Sequence, residues 1–170
     1  MARIIDSAYD RLEILKRYRT IGMVGLSANE FRPSHFAAIY MRSEGYDIIP
    51  INPRYEEILG RRSYPSLTAL AEAGTVPEIV DVFRKPEEVP AITEEAIAVG
   101  AKVLWLQLGI EHREAAERAV DAGLDVVMNR CVKIEHARFF GGLHAIGLNT
   151  GVISSRLDTS PPGNDRSHRR

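Results

Sequence analysis

The stretch TIGMVGLSANEFRPSHF, residues 20–36, joins an apolar run to a polar bend and then to a segment of helical periodicity. A strand that turns through a glycine into a helix is the opening unit of dinucleotide-binding folds, where the turn reads G-x-G-x-x-G. Here Gly25 begins the turn, Ser27 stands at the second glycine position, and the third glycine is absent. The stretch therefore predicts a phosphate-binding turn whose pattern departs from the dinucleotide fingerprint.

The same alternation of helix and strand recurs along the chain. Four helical segments each end at a glycine that a short apolar run follows, and these glycines are Gly45, Gly74, Gly100 and Gly123. A glycine just beyond the last helical residue is a common helix C-cap. The runs that follow, such as YDIIPI and AKVLWLQL, lack polar alternation, which is typical of parallel strands covered by helices on both faces. The pattern predicts an α/β protein with a Rossmann-like, doubly wound, five-stranded and mainly parallel sheet.

The strands are predicted to begin near Ile21, Asp47, Ile79, Val103 and Val126. We predict the order 3-2-1-4-5 across the sheet and a single domain over residues 1–157, which starts with an N-terminal helix whose apolar stripe packs on the sheet. The glycine-rich residues 141–157 either wrap a sheet edge or mediate self-association, for example as a homodimer. Residues 158–170 are polar, contain Pro-Pro-Gly and are predicted to form a disordered tail.

Composition and charge argue against several functional classes. Of the 170 residues, 45% are hydrophobic and 26% are charged, and the formal net charge of −1 gives no overall attraction to nucleic acid or to an anionic membrane. No apolar run approaches the roughly 20 residues of a membrane span, and charges throughout the N-terminal segment argue against a signal peptide. Cys131 is the single cysteine, so we expect no intramolecular disulfide and a reducing, cytoplasmic setting.

The predicted sheet also indicates where a ligand would bind. In open α/β sheets the ligand lies beyond the carboxyl ends of the strands, at the point where the strand order reverses. With the order 3-2-1-4-5 this point falls between the first and fourth strands. The loops that would line the site are residues 25–34, 52–54, 83–85 and 108–111.

The first of these loops carries groups that suit a phosphate. Gly25 leaves room for a phosphate beside the backbone, and Ser27 offers a hydroxyl group. The helix that follows aims unpaired N–H groups at the same place, and Arg32 adds a positive charge. Pro33 suits the first helical position, and Ser34 can cap the helix or donate a hydrogen bond. The alternative is a plain strand–helix turn that binds nothing.

The second and third loops favour a ligand with additional phosphate. An NAD-binding protein places an acidic residue after the second strand, whereas this chain has Asn52–Arg54 there, so the pattern argues against NAD. Arg54 could meet an extra phosphate near the ribose. Arg84 and Lys85 directly follow the third strand, where two cations suit a phosphate. The alternatives are a simple Asn-Pro turn and an exposed basic pair offset by the acidic residues after it.

Motifs for several catalytic chemistries are missing from the sequence. There is no G-x-x-x-x-G-K-[ST] phosphate loop and no G-x-S-x-G nucleophile elbow. None of the five histidines stands at metal-ligand spacing from the cysteine or from carboxylates. We therefore predict no metal site and no catalytic residues.

Five motifs, in this order, carry a family resemblance: IGMVGLSANEFRPSHFAAIYMRSEGYDIIPINP, EILGRRSYPSL, VDVFRKPEEV, LWLQLGI and AGLDVVMNRCVKIEH. Over roughly Ile21 to Leu157 the chain resembles the stand-alone CoA-binding proteins. These are single Rossmann-like domains similar to the CoA-binding domain of the succinyl-CoA synthetase alpha subunit. Each motif alone is weakly specific, whereas their combination and order are specific.

The resemblance implies coenzyme A as ligand, with its 3′-phosphorylated ADP moiety at the carboxyl edge of the sheet. The residues it assigns to the phosphates, the nucleotide and the pantetheine arm are, in chain order, Gly25, Leu26, Ser27, Arg32, Asn52, Pro53, Arg54, Phe83, Arg84 and Lys85. Pro33 and Ser34, from the pattern of the first loop, complete the twelve predicted site residues. The synthetases perform chemistry with a second domain and a phosphorylated histidine, and neither has a counterpart in this sequence. The chain therefore resembles a binding protein more than a ligase.

Three functional hypotheses follow. The first is a non-catalytic carrier, sensor or regulatory protein that binds coenzyme A or an acyl-CoA. The second is an NADP-dependent, oxidoreductase-like protein, and the third is an interaction module that binds no nucleotide. Cys131 allows two interpretations within the first hypothesis: an ordinary half-buried cysteine, which its surroundings in sequence favour, or a residue that forms a mixed disulfide with the thiol of coenzyme A under oxidation.

Overall fold

The computed structural model describes residues 1–140, so the predictions for residues 141–157 and 158–170 lie outside the described part of the chain. The strands within it are β1 (Thr20–Val24), β2 (Asp47–Ile51), β3 (Glu57–Ile58), β4 (Arg61–Arg62), β5 (Ile79–Val82), β6 (Val103–Leu106) and β7 (Asp125–Val127). The α-helices are α1 (Ala8–Arg17), α2 (Pro33–Ser43), α3 (Leu67–Glu72), α4 (Val89–Val99), α5 (Arg113–Asp121) and α6 (Val132–Phe140), and a short 3-10 helix, Pro86–Glu88, precedes α4.

The main sheet confirms the predicted fold class. Five parallel strands form it, helices cover both faces, and the strands begin where the sequence pattern places them. The glycines after the predicted helices all have positive φ values, as a helix C-cap in the left-handed conformation requires. Strands β3 and β4 form a separate two-stranded hairpin that the pattern does not predict.

The predicted strand order 3-2-1-4-5 is wrong. The observed order is β2-β1-β5-β6-β7, so the third main strand lies beside β1 on the side away from β2. The strand order therefore reverses between β1 and β5, and not between the first and fourth main strands. The loops that line this edge are nevertheless the predicted ones, because all five strands present their carboxyl ends at the same edge.

The faces on which the helices pack explain the observed order. Helix α2 packs with α1 and α6 on one face, whereas α3 packs with α4 and α5 on the other. Crossovers between parallel strands are right-handed, so a crossover on the opposite face proceeds in the opposite direction along the sheet. The connection from β2 through α3 therefore returns across β1 and places β5 on its far side.

Gly22, in the middle of β1, lets this returning connection pass close to the sheet. A Cβ atom at Gly22 would lie 3.2 Å from the ring carbons of Pro77 and 3.5 Å from Leu67. Pro77 and Leu67 belong to the segment that leads from β2 to β5. The missing side chain thus leaves space on a strand whose other residues, such as Ile21 and Met23, are completely buried.

The helix starts follow from local capping. Ser66 precedes α3, and its side chain accepts a hydrogen bond from the Ala69 N–H. Ser7 caps α1 in the same way through the Asp10 N–H. Pro86 begins the 3-10 turn that leads into α4.

A buried ion pair joins the first and last described helices. Nε of Arg11 donates to Oε2 of Glu135 at 2.8 Å, and both side chains are almost completely buried. A second guanidinium nitrogen of Arg11 donates to the Asp6 carbonyl oxygen at 2.7 Å. The pair therefore links α1 to α6 across the apolar face of the sheet, where a single unpaired charge would be strongly destabilising.

Arg61 and Arg62 lie in the hairpin, where Arg62 lines a hollow together with Asn52 and Pro53. Arg61 forms an ion pair with Asp47, and the guanidinium of Arg62 stacks over the Tyr64 ring at 5.0 Å. Both side chains are exposed. Within residues 1–140 no helix is long and apolar enough to cross a membrane.

The close approach at Gly22 leads to a stability prediction. Gly22→Val should lower the free energy of unfolding by about 1–3 kcal/mol, because the added carbons press on Pro77 and Leu67. Gly22→Ala should lower it less, since a single methyl group demands a smaller shift and also restricts the unfolded chain. Urea denaturation followed by circular dichroism measures both effects.

Thr20→Val is the matched control for this series. Thr20 lies two residues earlier in β1, on the same face as Gly22, and is only half-buried. Its replacement by an isosteric β-branched residue should leave stability nearly unchanged. A Gly22→Val variant as stable as the unmodified protein would contradict the proposed crossing of the connection over β1.

Candidate functional site

The carboxyl ends of the strands open into one large cleft. Its volume is about 1110 Å³, slightly above the roughly 300–1,000 Å³ common for small-molecule sites. All four loops expected at this edge contribute to its wall. Ten of the twelve sequence-predicted site residues line the cleft, and the two that do not are Leu26 and Pro53. The role of all twelve residues in ligand binding stays a prediction.

Gly25 allows the first and third loops to touch. Its φ of +86° lies in the left-handed region, and a Cβ atom there would stand 2.6 Å from both the Phe83 carbonyl oxygen and Cδ of Arg84. No other residue type fits such a position without displacing backbone. The Gly25 N–H donates to the Ile51 carbonyl oxygen at 2.9 Å, which also fixes the turn to β2.

Hydrogen bonds within the first loop hold its shape. The Ser27 N–H donates to Oγ of Ser34 at 3.1 Å, and Oγ of Ser27 accepts from the Asn29 N–H at 3.1 Å. Nδ1 of His35 donates to the Ser27 carbonyl oxygen at 2.9 Å. The loop therefore packs against the first turn of α2, and the His35 side chain holds its backbone through this hydrogen bond.

The N-terminus of α2 points at the cleft. Pro33 occupies its first turn, and Arg32 stands at the N-cap position without a capping hydrogen bond from its side chain. Pro33 has no N–H group and the His35 N–H donates to the Arg32 carbonyl oxygen at 3.0 Å, so Ser34 carries the first N–H of the helix; this end of the eleven-residue helix lines the cleft, where its dipole favours an anion. Arg32 is exposed, and no ion pair involves it within residues 1–140.

Asn52 connects the second loop to the first. Its side-chain amide donates to the Leu26 carbonyl oxygen at 2.9 Å, and its Oδ1 accepts from the Arg54 N–H at 3.0 Å. The Leu26 side chain is completely buried in the core, so this residue offers the site only backbone. Pro53 is exposed and lines two smaller hollows beside Asn52. Arg54 lines the cleft, and among the described residues no ion pair engages it.

Arg84 is paired with an acidic residue of its own loop. Nε and a terminal nitrogen of Arg84 donate to Oε1 of Glu88 at 3.1 and 2.6 Å, and the Lys85 N–H donates to Oε2 at 3.3 Å. The hydrogen bond from Arg84 is the main cause that lowers the pKa of Glu88 below its usual value. An acidic residue therefore offsets the charge of Arg84, which was one alternative from the sequence. An anionic ligand would compete with Glu88 for Arg84.

The floor of the cleft contains residues that the sequence analysis did not assign. Gln107 and Ile134 line it together with Leu108 and Ile110 of the fourth loop, and so does Cys131, which precedes α6. Gln107 could have been predicted, because it directly follows the buried strand VLWL at this edge of the sheet. Ile134 had no comparable signal, because its approach depends on how α6 packs.

Asp81 lies beneath this floor in β5. Its side chain is completely buried, and Nε2 of Gln107 donates to its Oδ1 at 2.5 Å. Burial raises the pKa of the Asp81 carboxyl to about 8, an effect that the bond from Gln107 partly offsets. The other carboxyl oxygen, Oδ2, has no hydrogen-bond partner within the described residues. Such a group typically costs about 1–3 kcal/mol of stability.

The charges of the cleft suit an anion that also has an apolar part. Four cations line it (Arg32, Arg54, Arg84 and Lys85) against two carboxylates (Glu87 and Glu88), which leaves a formal excess of two positive charges. Phe83 and the aliphatic residues of the floor supply an apolar wall beside them. Within residues 1–140, no cluster of histidine, cysteine and acidic side chains is arranged to hold a metal ion. The arrangement can hold a multiply phosphorylated nucleotide with an uncharged extension.

Comparisons with known proteins agree with this geometry. The family model described as CoA binding domain matches residues 19–137. The uncharacterized protein YneT of Bacillus subtilis is 39% identical over 125 residues, which cover 74% of this chain and 90% of YneT. A hypothetical protein from Pyrococcus horikoshii superposes with a TM-score of 0.75 at 41% identity, covering 83% of this chain and 99% of that chain.

A structure from Thermus thermophilus is also similar. It superposes with a TM-score of 0.71 at 32% identity and covers 79% of this chain and 100% of its own. The matched family region contains β1 through most of α6, and hence every loop that lines the cleft. The chain belongs to the CoA-binding domain family.

Proposed function

We propose that this protein binds coenzyme A or an acyl-CoA in the cleft and acts as a non-catalytic carrier, sensor or regulatory protein. The observation that carries the proposal is the convergence of four loops into one cleft with an excess of positive charge, on a chain whose formal net charge is −1. Because the chain as a whole is nearly neutral, attraction for a polyanion arises only where cations are concentrated. Membership of the family supports coenzyme A as the polyanion.

The residues of the cleft fit the chemistry of coenzyme A. The pyrophosphate suits the turn at Gly25 and the N-terminus of α2, where backbone N–H groups and Arg32 meet negative charge. Arg54, after β2, stands where the ribose phosphate of a Rossmann-bound nucleotide lies. Phe83 and Ile134 offer an apolar surface to the pantetheine arm.

An NADP-binding protein is the second candidate, and Arg54 is the observation that favours it. A cation after the second strand of a Rossmann-like sheet is also what accommodates the 2′-phosphate of NADP. An oxidoreductase would further need a group that moves a proton beside the nicotinamide. The three histidines of residues 1–140 have structural contacts: His35 bonds the Ser27 carbonyl, His112 accepts a hydrogen bond from the Ala115 N–H, and His136 packs against Tyr40 and Tyr46. These contacts support the non-catalytic proposal over the oxidoreductase.

The pairing of Arg84 with Glu88 gives a two-sided prediction for coenzyme A affinity. Arg84→Ala should raise the Kd about tenfold, because it removes a charge-assisted contact that is worth roughly 1.5–3 kcal/mol before the competing bond to Glu88 is subtracted. Glu88→Gln should lower the Kd about two- to fivefold, since it releases Arg84 from an exposed pair typically worth about 0.2–1 kcal/mol. Isothermal titration calorimetry measures both.

Arg113→Ala is the matched control. Arg113 forms an i,i+4 pair with Glu117 on α5, as Arg84 does with Glu88, but it lies outside the cleft. Its removal changes the net charge equally and should leave the Kd unchanged. Equal affinities for the unmodified protein and for Arg84→Ala would remove the third loop from the binding site.

Arg54 should determine the preference for the 3′-phosphate. We expect the unmodified protein to bind coenzyme A roughly tenfold more tightly than 3′-dephospho-coenzyme A, because a charged hydrogen bond contributes about 1.5 kcal/mol or more. Arg54→Ala should reduce this ratio toward one, whereas Arg113→Ala, the control outside the cleft, should preserve it. A ratio unaffected by Arg54→Ala would place the phosphate elsewhere, and tighter binding of NADP than of coenzyme A would favour the second candidate.

A further inference from the structure

Three residues at the base of the cleft form a group that nucleotide binding does not explain. We call Asp81, Gln107 and Cys131 the floor cluster. Gln107 and Cys131 line the cleft, and Gln107 is bonded to the buried carboxyl of Asp81 beneath it. Asp81 keeps one oxygen without a hydrogen-bond partner in the described part of the chain. A fold that needed only an apolar floor would gain nothing from this buried acid.

The sulfur of Cys131 lies at the start of α6, facing the cleft. Burial raises the pKa of this thiol, and the backbone N–H groups of Ile134 and Lys133 act in the opposite direction. The indole N–H of Trp105 donates to the Arg130 carbonyl oxygen at 2.8 Å and holds the preceding residue in place. The thiol therefore has a fixed position on the wall of the cleft and partners that favour its ionised form.

Opposing influences keep the thiol protonated at rest. Burial raises the pKa of Cys131, the two N–H groups lower it, and the charge of Asp81 raises it. Lys133, on the same helix, lowers the pKa. The remaining charged groups that face the cleft are the cations of the other loops and the acidic pair after Lys85. An ionised Asp81 therefore raises the pKa of the Cys131 thiol, although Asp81 itself is completely buried.

We propose that Cys131 is a thiol–disulfide exchange site for a pantetheine disulfide held in the cleft, with Asp81 and Gln107 as positioning residues. The inference rests on the proposed binding of coenzyme A, whose arm would bring its sulfur to the floor cluster. The oxidant is the ligand's own disulfide, coenzyme A disulfide. The protein would thereby retain the oxidised form of its ligand covalently.

The exchange balances in one step. The Cys131 thiolate, formed by loss of its proton to solvent, attacks one sulfur of the disulfide, and a new S–S bond forms as the original S–S bond breaks. One coenzyme A stays attached to Cys131, and the other leaves as a thiolate that takes up a proton. Because the chain has a single cysteine, no second thiol of the same chain can displace the attached molecule. The product therefore persists until an external thiol attacks it.

Intact-mass spectrometry tests the proposal on the full chain. The protein is mixed with coenzyme A disulfide or, separately, with hydroxyethyl disulfide, which has no nucleotide to bind the cleft. We expect one coenzyme A adduct, formed at least roughly tenfold faster than the hydroxyethyl adduct because the bound disulfide has a high effective concentration. Excess 3′-phospho-ADP should slow the reaction, and Cys131→Ser should form no adduct.

Calorimetry with coenzyme A on the same protein separates this inference from the proposed function. Binding of coenzyme A without an adduct at Cys131 would overturn the exchange and leave the binding proposal intact. Equal rates with both disulfides would also overturn it, because Cys131 would then be a merely accessible thiol. Absence of coenzyme A binding, together with equal rates, would overturn both.

Asp81→Asn tests the positioning role through the pH profile of the exchange rate. Asparagine can still accept the bond from Gln107, but it cannot carry the negative charge that raises the pKa of Cys131. The profile should therefore shift toward lower pH, with faster exchange above about pH 8, where Asp81 is ionised in the unmodified protein. A changed melting temperature with an unmoved profile would assign Asp81 a structural role only and would overturn this part of the proposal.

Discussion

The absence of a side chain at Gly22 is the constraint on which the rest of the architecture depends. The connection from β2 returns across β1 at this residue, with Pro77 and Leu67 within contact distance of a Cβ atom that is not there. The return places β5 beside β1, which in turn places the loop after β5 against the turn after β1. Gly25 completes the arrangement, because only a residue without a Cβ atom lets Phe83 and Arg84 approach so closely. Two glycines of one short stretch thus permit the close crossing over β1 and the contact between loops that shapes the cleft.

The cleft concentrates positive charge on a nearly neutral chain. Its cations come from three loops that are distant in sequence, and they meet because every main strand ends at the same edge. Glu88 offsets Arg84 through the bonds described above, so an anionic ligand replaces an existing partner instead of meeting a bare charge. Arg32 and Arg54, in contrast, make no ion pair within residues 1–140 and can respond to a ligand directly. Affinity in such a site depends on the balance between new contacts and the internal bonds that they displace.

The sequence predicts the fold class and the lining loops but not the strand order. The alternation of glycine-capped helices with apolar runs is a local signal, and it correctly locates the five main strands. The face on which α3 packs depends on contacts of Leu67 and Leu70 with distant helices, and no local period encodes that choice. Gln107 and Asp81 escape prediction for a related reason, since their bond joins two strands and is visible only once these strands are neighbours. Leu26, assigned to the site from the family resemblance, has its side chain in the core, and its carbonyl oxygen accepts a hydrogen bond from the Asn52 side chain.

The central claim is that four loops at one sheet edge form a single binding site for coenzyme A. Chemical-shift mapping of the ¹⁵N-labelled protein during titration with coenzyme A tests it most directly, because every backbone amide reports separately. The account predicts that the amides of Gly25, Ser27, Asn52, Arg84 and Leu108 shift together along one saturating curve, while those of α3 and of the hairpin stay unchanged. Shifts confined to α3 and the hairpin, or the absence of any shift at saturating coenzyme A, would contradict it.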